Sequence, residues 1–599
     1  MYTDTILTSI RSQASRFPEA PALLAPGRLP LSHRGLCAQI DSTAAALSGL
    51  GIKRGDRVAI ALPNGPEMAA AFLSIVAVAT CAPLNPAYSP PEFEFYLSDL
   101  KAALLIVEAG SRSPAVEAAR ALGLRVASLQ MEPGSPAGSF TLLPGGTTGA
   151  APEYAGPDDL ALVLHTSGTT SRPKIVPLTH SNLAASASNI SASLKLAQPD
   201  RCLNIMPLFH VHGLIGALVS SLVVGASVIC TPGLDPDRVL GWMTELAPTW
   251  YTAVPTMHQA ILEAARARPD ATPRLRLRFI RSCSSALPPQ VGQMLEEVFR
   301  TPVVEAYGMT EASHQIACNP LPPRPRKFGS VGIPSGDEVA VLDEQGKILP
   351  PKALGEISIR GPNVMRGYEN NPAADASAFS NGWLRTGDTG MLDEEGYLFI
   401  RGRIKELINR GGEKISPREI DEVLLQHPAV QQAVAFALPH PVLGEDVAAA
   451  VVLRPGAAAT VGELRSFAAA RLAEFKVPRW IVFVGEIPKG PTGKIQRLGL
   501  AEKLKAELDA PAGDSSGRHT PPRTPLEARL AVLWCQVLDV DEIGIHDDFF
   551  FLGGDSLRGA RLLSHLEELG GAGLTLGDLL SHPTIAELAL LIDRGIPLP

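Results

Sequence analysis

A basic excess is missing from this chain. Fifty-three lysines and arginines stand against 61 aspartates and glutamates, a formal net charge of −8 over 599 residues. That balance argues against nucleic acid as the main partner. Paired cysteines are missing too. The seven present (Cys37, Cys81, Cys202, Cys230, Cys283, Cys318 and Cys535) are odd in number, scattered, and include no Cys-x-x-Cys pair. The pattern speaks against structural zinc and fits a reducing compartment, so a cytoplasmic location is expected. The start, Met1-Tyr-Thr-Asp-Thr-Ile6, has no basic region and no long apolar stretch, and no signal peptide is expected. A Walker loop is absent, and no internal repeat is visible. Charge is absent over one long segment, Cys202 to Leu234. Its apolar heart, Leu214 to Cys230, is about the shortest stretch that could span a bilayer. Gly216, Ser220, Ser221, Gly225 and Ser227 interrupt it, so a buried helix and strand are expected and no membrane insertion.

What is present is organised in three parts. The length predicts two to four domains. Up to about residue 400, strand-like runs (Val58 to Leu62, Leu104 to Val107, Val126 to Leu129) alternate with helix-like ones such as Pro66 to Ala79. Such alternation predicts α/β layers with largely parallel sheets. Residues 131–157 read as a loop. From Arg403 a smaller α+β unit follows. Its helices are expected at Ile415 to Leu425 and Val461 to Phe475, and its strands at Val430 to Ala437, Val447 to Leu453 and Trp480 to Val484. Residues rich in Pro, Ala, Gly and Ser between Asp509 and Thr524 read as a linker. The last seventy or so residues carry amphipathic helices at Pro525 to Leu538, Ser556 to Leu569 and Thr584 to Asp593, and predict a small helical bundle.

The most informative stretch is Thr166 to Lys174, Thr-Ser-Gly-Thr-Thr-Ser-Arg-Pro-Lys. Thr166, Ser167, Gly168, Thr169 and Thr170 supply four hydroxyls and a free backbone, and Arg172 and Lys174 add positive charge. Leu160 to Leu164 before it reads as a buried strand, and His180 to Leu183 after it as a helix start. A hydroxyl-rich, basic-ended loop between strand and helix is a phosphate cradle.

Four further segments follow in order: Glu305-Ala-Tyr-Gly-Met-Thr-Glu311; Trp383-Leu-Arg-Thr-Gly-Asp388; Gly402-Arg-Ile-Lys-Glu-Leu-Ile408 with Gly411-Gly-Glu-Lys-Ile-Ser416; and Pro488-Lys-Gly-Pro-Thr-Gly-Lys-Ile495. Together with the loop they resemble the adenylate-forming superfamily, which includes acyl-CoA synthetases, peptide-synthetase adenylation domains and firefly luciferase. The resemblance covers residues 1 to about 505. The chemistry of the residues agrees with it. Activating a carboxylate by attaching AMP needs a metal ligand, phosphate cations and a ribose clamp. Glu311 is a hard oxygen ligand suited to Mg²⁺. Tyr307 offers a flat face to adenine, and Thr310 a hydroxyl to the α-phosphate. Asp388 can accept both ribose hydroxyls, with Arg403 adding a donor. Lys494 can reach the carboxylate and bridging phosphate oxygens in the transition state. By resemblance Lys405 is a hinge between the large and small domains, which reorient between adenylation and thiol attack, when a face near Gly411 and Gly412 meets the thiol.

In the third part, Asp547-Asp-Phe-Phe-Phe-Leu-Gly-Gly-Asp-Ser-Leu557 places Ser556 at a helix start, where the helix favours a phosphodiester. This part resembles an acyl or peptidyl carrier domain, with Ser556 as the 4′-phosphopantetheine site. The implied architecture is an adenylation N-terminal domain (1–402, hinge 403–406), a small mobile α+β C-terminal subdomain (407–508), a linker (509–523) and a four-helix-type carrier bundle (524–595). ATP, Mg²⁺ and covalent phosphopantetheine are the implied cofactors.

The acid activated is less plainly written. Amino-acid-activating relatives place an aspartate after Met206-Pro-Leu to hold an ammonium. Met206 to Gly213 has no acid here, which disfavours an amino acid. His210 and His212 could be a metal pair, but without a nearby carboxylate they read better as pocket residues, His210 towards the thiol and His212 towards the acid. Met206 to Leu214, Phe279 to Ala286 and Met309 to His314 resemble oxalate–CoA ligases. That resemblance gives Ser284, His212 and His314 the distal carboxylate to hold. Ser171, which that group shares, and Ile175 stand where the wider superfamily commonly has glycine. The expected function is activation of a small acid, such as the dicarboxylate oxalate, followed by thioester formation on the arm of Ser556. That scheme needs a phosphopantetheinyl transferase and a downstream acyl-accepting enzyme as partners. The alternatives are a ligase releasing free acyl-CoA, with CoA as acceptor, and a non-catalytic carrier or scaffold.

Overall fold

The computed structural model describes residues 5–593 apart from 145–150, 167–172, 441–442, 489–494, 496, 510–519, 541, 550–551, 553, 555 and 568–573. The described residues divide into two units, the first running to Ile400 and the second beginning at Arg401.

Two large sheets build the first unit. One runs, in spatial order, through Ile333–Pro334, His314–Cys318, Val303–Met309, Phe279–Ser282, Trp250–Ala253, Arg201–Asn204, Ser227–Cys230, Pro21–Leu24 and Leu31–Ser32. Its middle is parallel and its two ends antiparallel. The other runs through Thr141–Leu143, Arg125–Gln130, Leu104–Glu108, Arg57–Ala61, Thr80–Pro83, Leu160–Thr166 and Lys174–Thr179. It too is parallel inside and antiparallel at both ends. Central parallel strands are covered on both faces, which is why they read as unbroken apolar runs. Between them lie helices buried nearly all round, such as Pro66–Val76, opened by proline at its first position.

The expectation of largely parallel sheets fails for a third sheet. Glu338–Leu342, Gly355–Arg360, Trp383–Leu392 and Phe379–Ser380 pair antiparallel, and Leu398–Arg403 joins Trp383–Leu392. The connections from Ser380 to Trp383 and from Leu392 to Leu398 are too short for a parallel crossover, which needs a dozen or more residues.

The charge-free segment is core. His212–Val219 forms a π-helix, Ser220–Leu222 continues it as an α-turn, and Ser227–Cys230 is a central strand, all buried. Ser220 and Ser221 return their hydroxyls to the Gly216 and Ala217 carbonyls, so their polarity is satisfied inside the helix. Among the described residues no helix is long and apolar enough to cross a membrane.

In the second unit a sheet of Glu413–Ile415, Ile408–Arg410, Gly444–Leu453 and Val430–His440, with Trp480–Phe483 parallel to Gly444–Leu453, carries the helices Pro417–Leu424 and Val461–Ala469. The second helix ends six residues short of the expected Phe475, and a 3₁₀ turn at Glu474–Lys476 follows. Among the described residues beyond 520, four helices form the expected bundle: Pro525–Leu538, Ser556–Glu567, Leu576–Ser581 and Ile585–Asp593. Thr524 caps the first in a box with Glu527. Trp534 and Phe549 meet edge to face in its core, with Leu562, Leu566, Leu579 and Ile585 around them. Within this unit the buried Arg465 on Val461–Ala469 donates to Asp548 of the carrier at 2.8 Å.

Candidate active site

The phosphate loop departs from its expected setting. Thr166 pairs with Lys174, so residues 167–173 join two antiparallel strands, Leu160–Thr166 and Lys174–Thr179. The helix His180–Ser193 starts only after the second strand, and its cap is closed by Thr179 with Asn182. The expected order of strand, loop and helix is thus replaced by strand, strand and then helix. Ser167, Gly168, Thr169, Thr170, Ser171 and Arg172 lie outside the described residues, as does Lys494.

The strand Val303–Met309 and its antiparallel return His314–Cys318 do most of the positioning. The register slips between Tyr307 and Gly308. A Cβ on Gly308 would lie 1.6 Å from the His314 carbonyl oxygen, so only glycine allows the strands to close here. A 3₁₀ turn, Thr310–Ala312, links them, and Ser313 and His314 follow at φ +52° and +115°. Such backbone in non-glycine residues is costly and collects at functional sites.

This hairpin presents two groups. On one side, the buried Tyr307 donates its hydroxyl to Asp388 at 2.5 Å. Two residues predicted to hold adenine and ribose, 81 positions apart, are thus neighbours. The buried Glu311 accepts from the Tyr368 hydroxyl at 2.8 Å, and the Lys174 ammonium sits 4.4 Å from the centre of the Tyr368 ring. Burial and the neighbouring Glu311 push the Tyr368 phenol up, so it stays a donor. Tyr368 escaped the sequence reading, because a lone tyrosine after Gly367 has no periodicity and no motif to announce it. Thr310 opens the turn beside Glu311. Behind the loop, His165 meets Asp99 at 3.0 Å, and burial holds its pKa below the ordinary value. No cluster of three or more His, Cys, Asp or Glu suited to a metal occurs among the described residues. Glu311, a single hard carboxylate, fits a Mg²⁺ ion whose other ligands are phosphate and water.

On the other side lie the residues assigned to the acid. His212, at the start of the π-helix, meets the Ser284 hydroxyl through Nδ1 at 3.1 Å and the Thr252 hydroxyl through Nε2 at 2.6 Å. His314 stacks on His212 with ring centres 5.0 Å apart. Ser284 has φ +76°. Gly216, one turn along, makes room: a Cβ there would lie 2.3 Å from His314 Nε2. Three of the four expected pocket residues are thus brought together, two of them on strained backbone. His210 stands apart, accepting at Nδ1 from the His212 amide at 3.3 Å. Thr252, Arg281 and Gln315 complete the network. Sequence gave no sign of Thr252. Arg281 could have been suspected as a charge in the apolar strand Phe279–Ser282.

Three expected residues belong to the second unit. Arg403 ends the strand Leu398–Arg403 and Lys405 lies in the 3₁₀ turn Ile404–Glu406, both exposed. Ser556 opens the helix Ser556–Glu567.

Comparison with known proteins agrees with this layout. The AMP-binding enzyme family matches residues 10–369, the AMP-binding enzyme C-terminal domain matches 419–494, and the phosphopantetheine attachment site matches 528–592. These matches define an enzyme that activates acids through AMP. The chain belongs to the adenylate-forming superfamily of AMP-binding enzymes, with a phosphopantetheine-attachment domain fused at its C-terminal end. It is 47% identical to the oxalate–CoA ligase of Arabidopsis thaliana over 84% of this chain and 99% of that one. It is 44% identical to the oxalate–CoA ligase of Saccharomyces cerevisiae over 75% and 87%. The ATP-bound structure of MatB from Rhodopseudomonas palustris superposes with a TM-score of 0.77 at 30% identity, over 84% of this chain and 99% of that one. The protein is an AMP-forming acid–thiol ligase that activates a carboxylic acid through its adenylate.

Proposed function

We propose that the protein activates a small dicarboxylic acid, oxalate first among candidates, and ligates it to the thiol of free coenzyme A. The acid carboxylate attacks the α-phosphorus of ATP and pyrophosphate leaves. The thiol sulfur then attacks the acyl carbon, its proton is lost, and AMP leaves. In this reading Lys174 and the loop from Thr166 hold the phosphates, Thr310 meets the α-phosphate, and Tyr307, Asp388 and Arg403 hold the nucleoside. Lys494 meets the developing charge, Glu311 would hold Mg²⁺, and Lys405 is the hinge. Bound Mg²⁺ would offset charge on the phosphates.

The carrying observation is the cluster of His212, Ser284 and His314, neutral donors gathered where amino-acid-activating relatives need an acid. The similarity to two oxalate–CoA ligases supports the choice of acid. ATP–pyrophosphate exchange across a panel of acids tests it: oxalate should lead, and strong exchange with amino acids but none with oxalate would sink it.

The acceptor favoured here is free CoA, because the similar curated enzymes are CoA ligases nearly matched end to end. The fused attachment domain sustains a second reading, in which the acyl group passes to a phosphopantetheine on Ser556. A phosphopantetheinyl transferase would prime that arm and a separate acyl-accepting enzyme would unload it. Mass spectrometry of the primed protein with ATP and acid separates the two: acyl mass on the Ser556 peptide, or acyl-CoA in solution without it.

A further inference from the structure

Arg281 is fully buried, on the strand Phe279–Ser282. It donates to the Thr252 hydroxyl at 3.3 Å, His314 Nε2 at 3.1 Å and Gln315 Oε1 at 2.8 Å, its Nε has no hydrogen-bond partner, and the buried thiol of Cys318 also interacts with it. No described carboxylate forms an ion pair with it. A buried guanidinium facing only neutral groups is costly, and its position needs a reason.

We propose that Arg281 is the positioning residue that makes the acid site selective for a second negative charge. The inference rests on the dicarboxylate reading above and adds how the site tells a dianion from a monoanion. An arginine is always a donor and never an acceptor. Its bond to His314 Nε2 makes that nitrogen an acceptor, so the neutral ring carries its proton on Nδ1. Its bond to Thr252 Oγ1 occupies a lone pair of that oxygen. The Thr252 hydrogen then needs an acceptor, and among the described residues His212 Nε2 at 2.6 Å is the one within reach. His212 therefore carries its proton on Nδ1 and donates to Ser284 Oγ, which leaves the serine hydrogen to point onward. One fixed cation thus sets the protons of two imidazoles and a hydroxyl as donors, and its uncompensated charge lies directly behind them. Such an array favours a second carboxylate over a neutral group of equal shape.

Oxamate, an amide of oxalate's shape with one charge fewer, is the probe. KM values for oxalate and oxamate are measured by ATP–pyrophosphate exchange in the full-length wild type and in Arg281→Met, Arg281→Lys and Thr252→Val. The wild type should take oxalate at far lower KM than oxamate. In Arg281→Met that ratio should collapse about a hundredfold, without a comparable shift in the KM for ATP. Arg281→Lys, which keeps the charge, should recover about tenfold of it. Thr252→Val, which cuts the link to His212 and leaves the charge, should lose about tenfold. Equal shifts for oxalate and oxamate mean a merely structural arginine and overturn the proposal. Should Arg281→Met fail to fold, the lysine and valine variants decide alone, and a wild-type ratio in both overturns it. A wild type that does not prefer oxalate to oxamate overturns the dicarboxylate reading itself, a result distinct from any variant's.

Discussion

The buried Arg281 in the first unit and the largely enclosed Arg497 in the second are guanidiniums held in opposite ways. Arg497 meets Asp421 at 2.7 Å and Glu406 at 3.3 Å, and also donates to the Ala435 carbonyl. Burial pushes the Asp421 carboxyl up, and Arg497 opposes the shift. The guanidinium there meets two carboxylates within the protein, and the group ties the turn that carries Lys405 to the helix Pro417–Leu424. Arg281 is more deeply buried, yet meets a threonine, a histidine, a glutamine and the thiol of Cys318, and no carboxylate among the described residues. A buried charge neutralised by the fold serves the fold. One left unneutralised beside strained, donor-bearing residues is available to a ligand.

Mutation separates the two roles, and the largest effect is expected on the structural side. Arg497→Met strands Asp421 and should cost about 3–5 kcal/mol in urea unfolding. Arg281→Met strands no carboxylate and should cost about 2 kcal/mol or less. Equal losses would erase the contrast.

Acid should act chiefly on the first unit, which buries ionisable groups in neutral form. Burial lowers His258 to about 3 and His180 to about 4. Below pH 6.5 the unfolded chain binds protons that these folded residues refuse. Stability should therefore fall with pH from 6.5 towards 4, by up to about 1.4 kcal/mol per pH unit for each histidine. Burial raises Asp337 to about 7, which works the other way: its folded form keeps a proton that the unfolded form loses above about 4. Asp337→Asn should therefore steepen the acid loss between pH 6.5 and 4. Urea midpoints across this range test the balance, and a flat profile in both proteins would contradict it.

Gly216→Ala probes the acid site without touching a charge. The added methyl would displace His314 from Arg281, weakening acid binding by about 2 kcal/mol, roughly thirtyfold in KM. An unchanged KM would show that the imidazole pair is not where the acid binds. The smallest effect is expected at Arg465 and Asp548. Asp548→Asn removes the charge on the carrier side of that contact and should cost about 1 kcal/mol, read as roughly fivefold faster amide exchange along Val461–Ala469.

Much of the active site was legible because its motifs are local. Glu305 to Glu311, Trp383 to Asp388 and the loop from Thr166 each gather their chemistry within nine residues, and side-chain type alone suggests phosphate, metal and ribose. The helix Pro525–Leu538 was legible for the same reason, from its amphipathic period. The third sheet was not, since a period of two marks a strand without marking its partner.

The sequence by itself determined the family, the AMP-forming chemistry, the presence of a phosphopantetheine-attachment domain and the absence of an acid between Met206 and Gly213. Only the tertiary structure decided that the strands Leu160–Thr166 and Lys174–Thr179 pair antiparallel, that Tyr368 reaches Glu311, and that Arg281 stands behind His314 and Thr252. The physical reason is separation along the chain. Thr252 lies 40 residues from His212, and Arg281 lies 33 from His314. Such contacts follow from how the sheet sets Thr252, Arg281 and His314 on three different strands beneath the π-helix that carries His212, not from any local pattern a single segment carries.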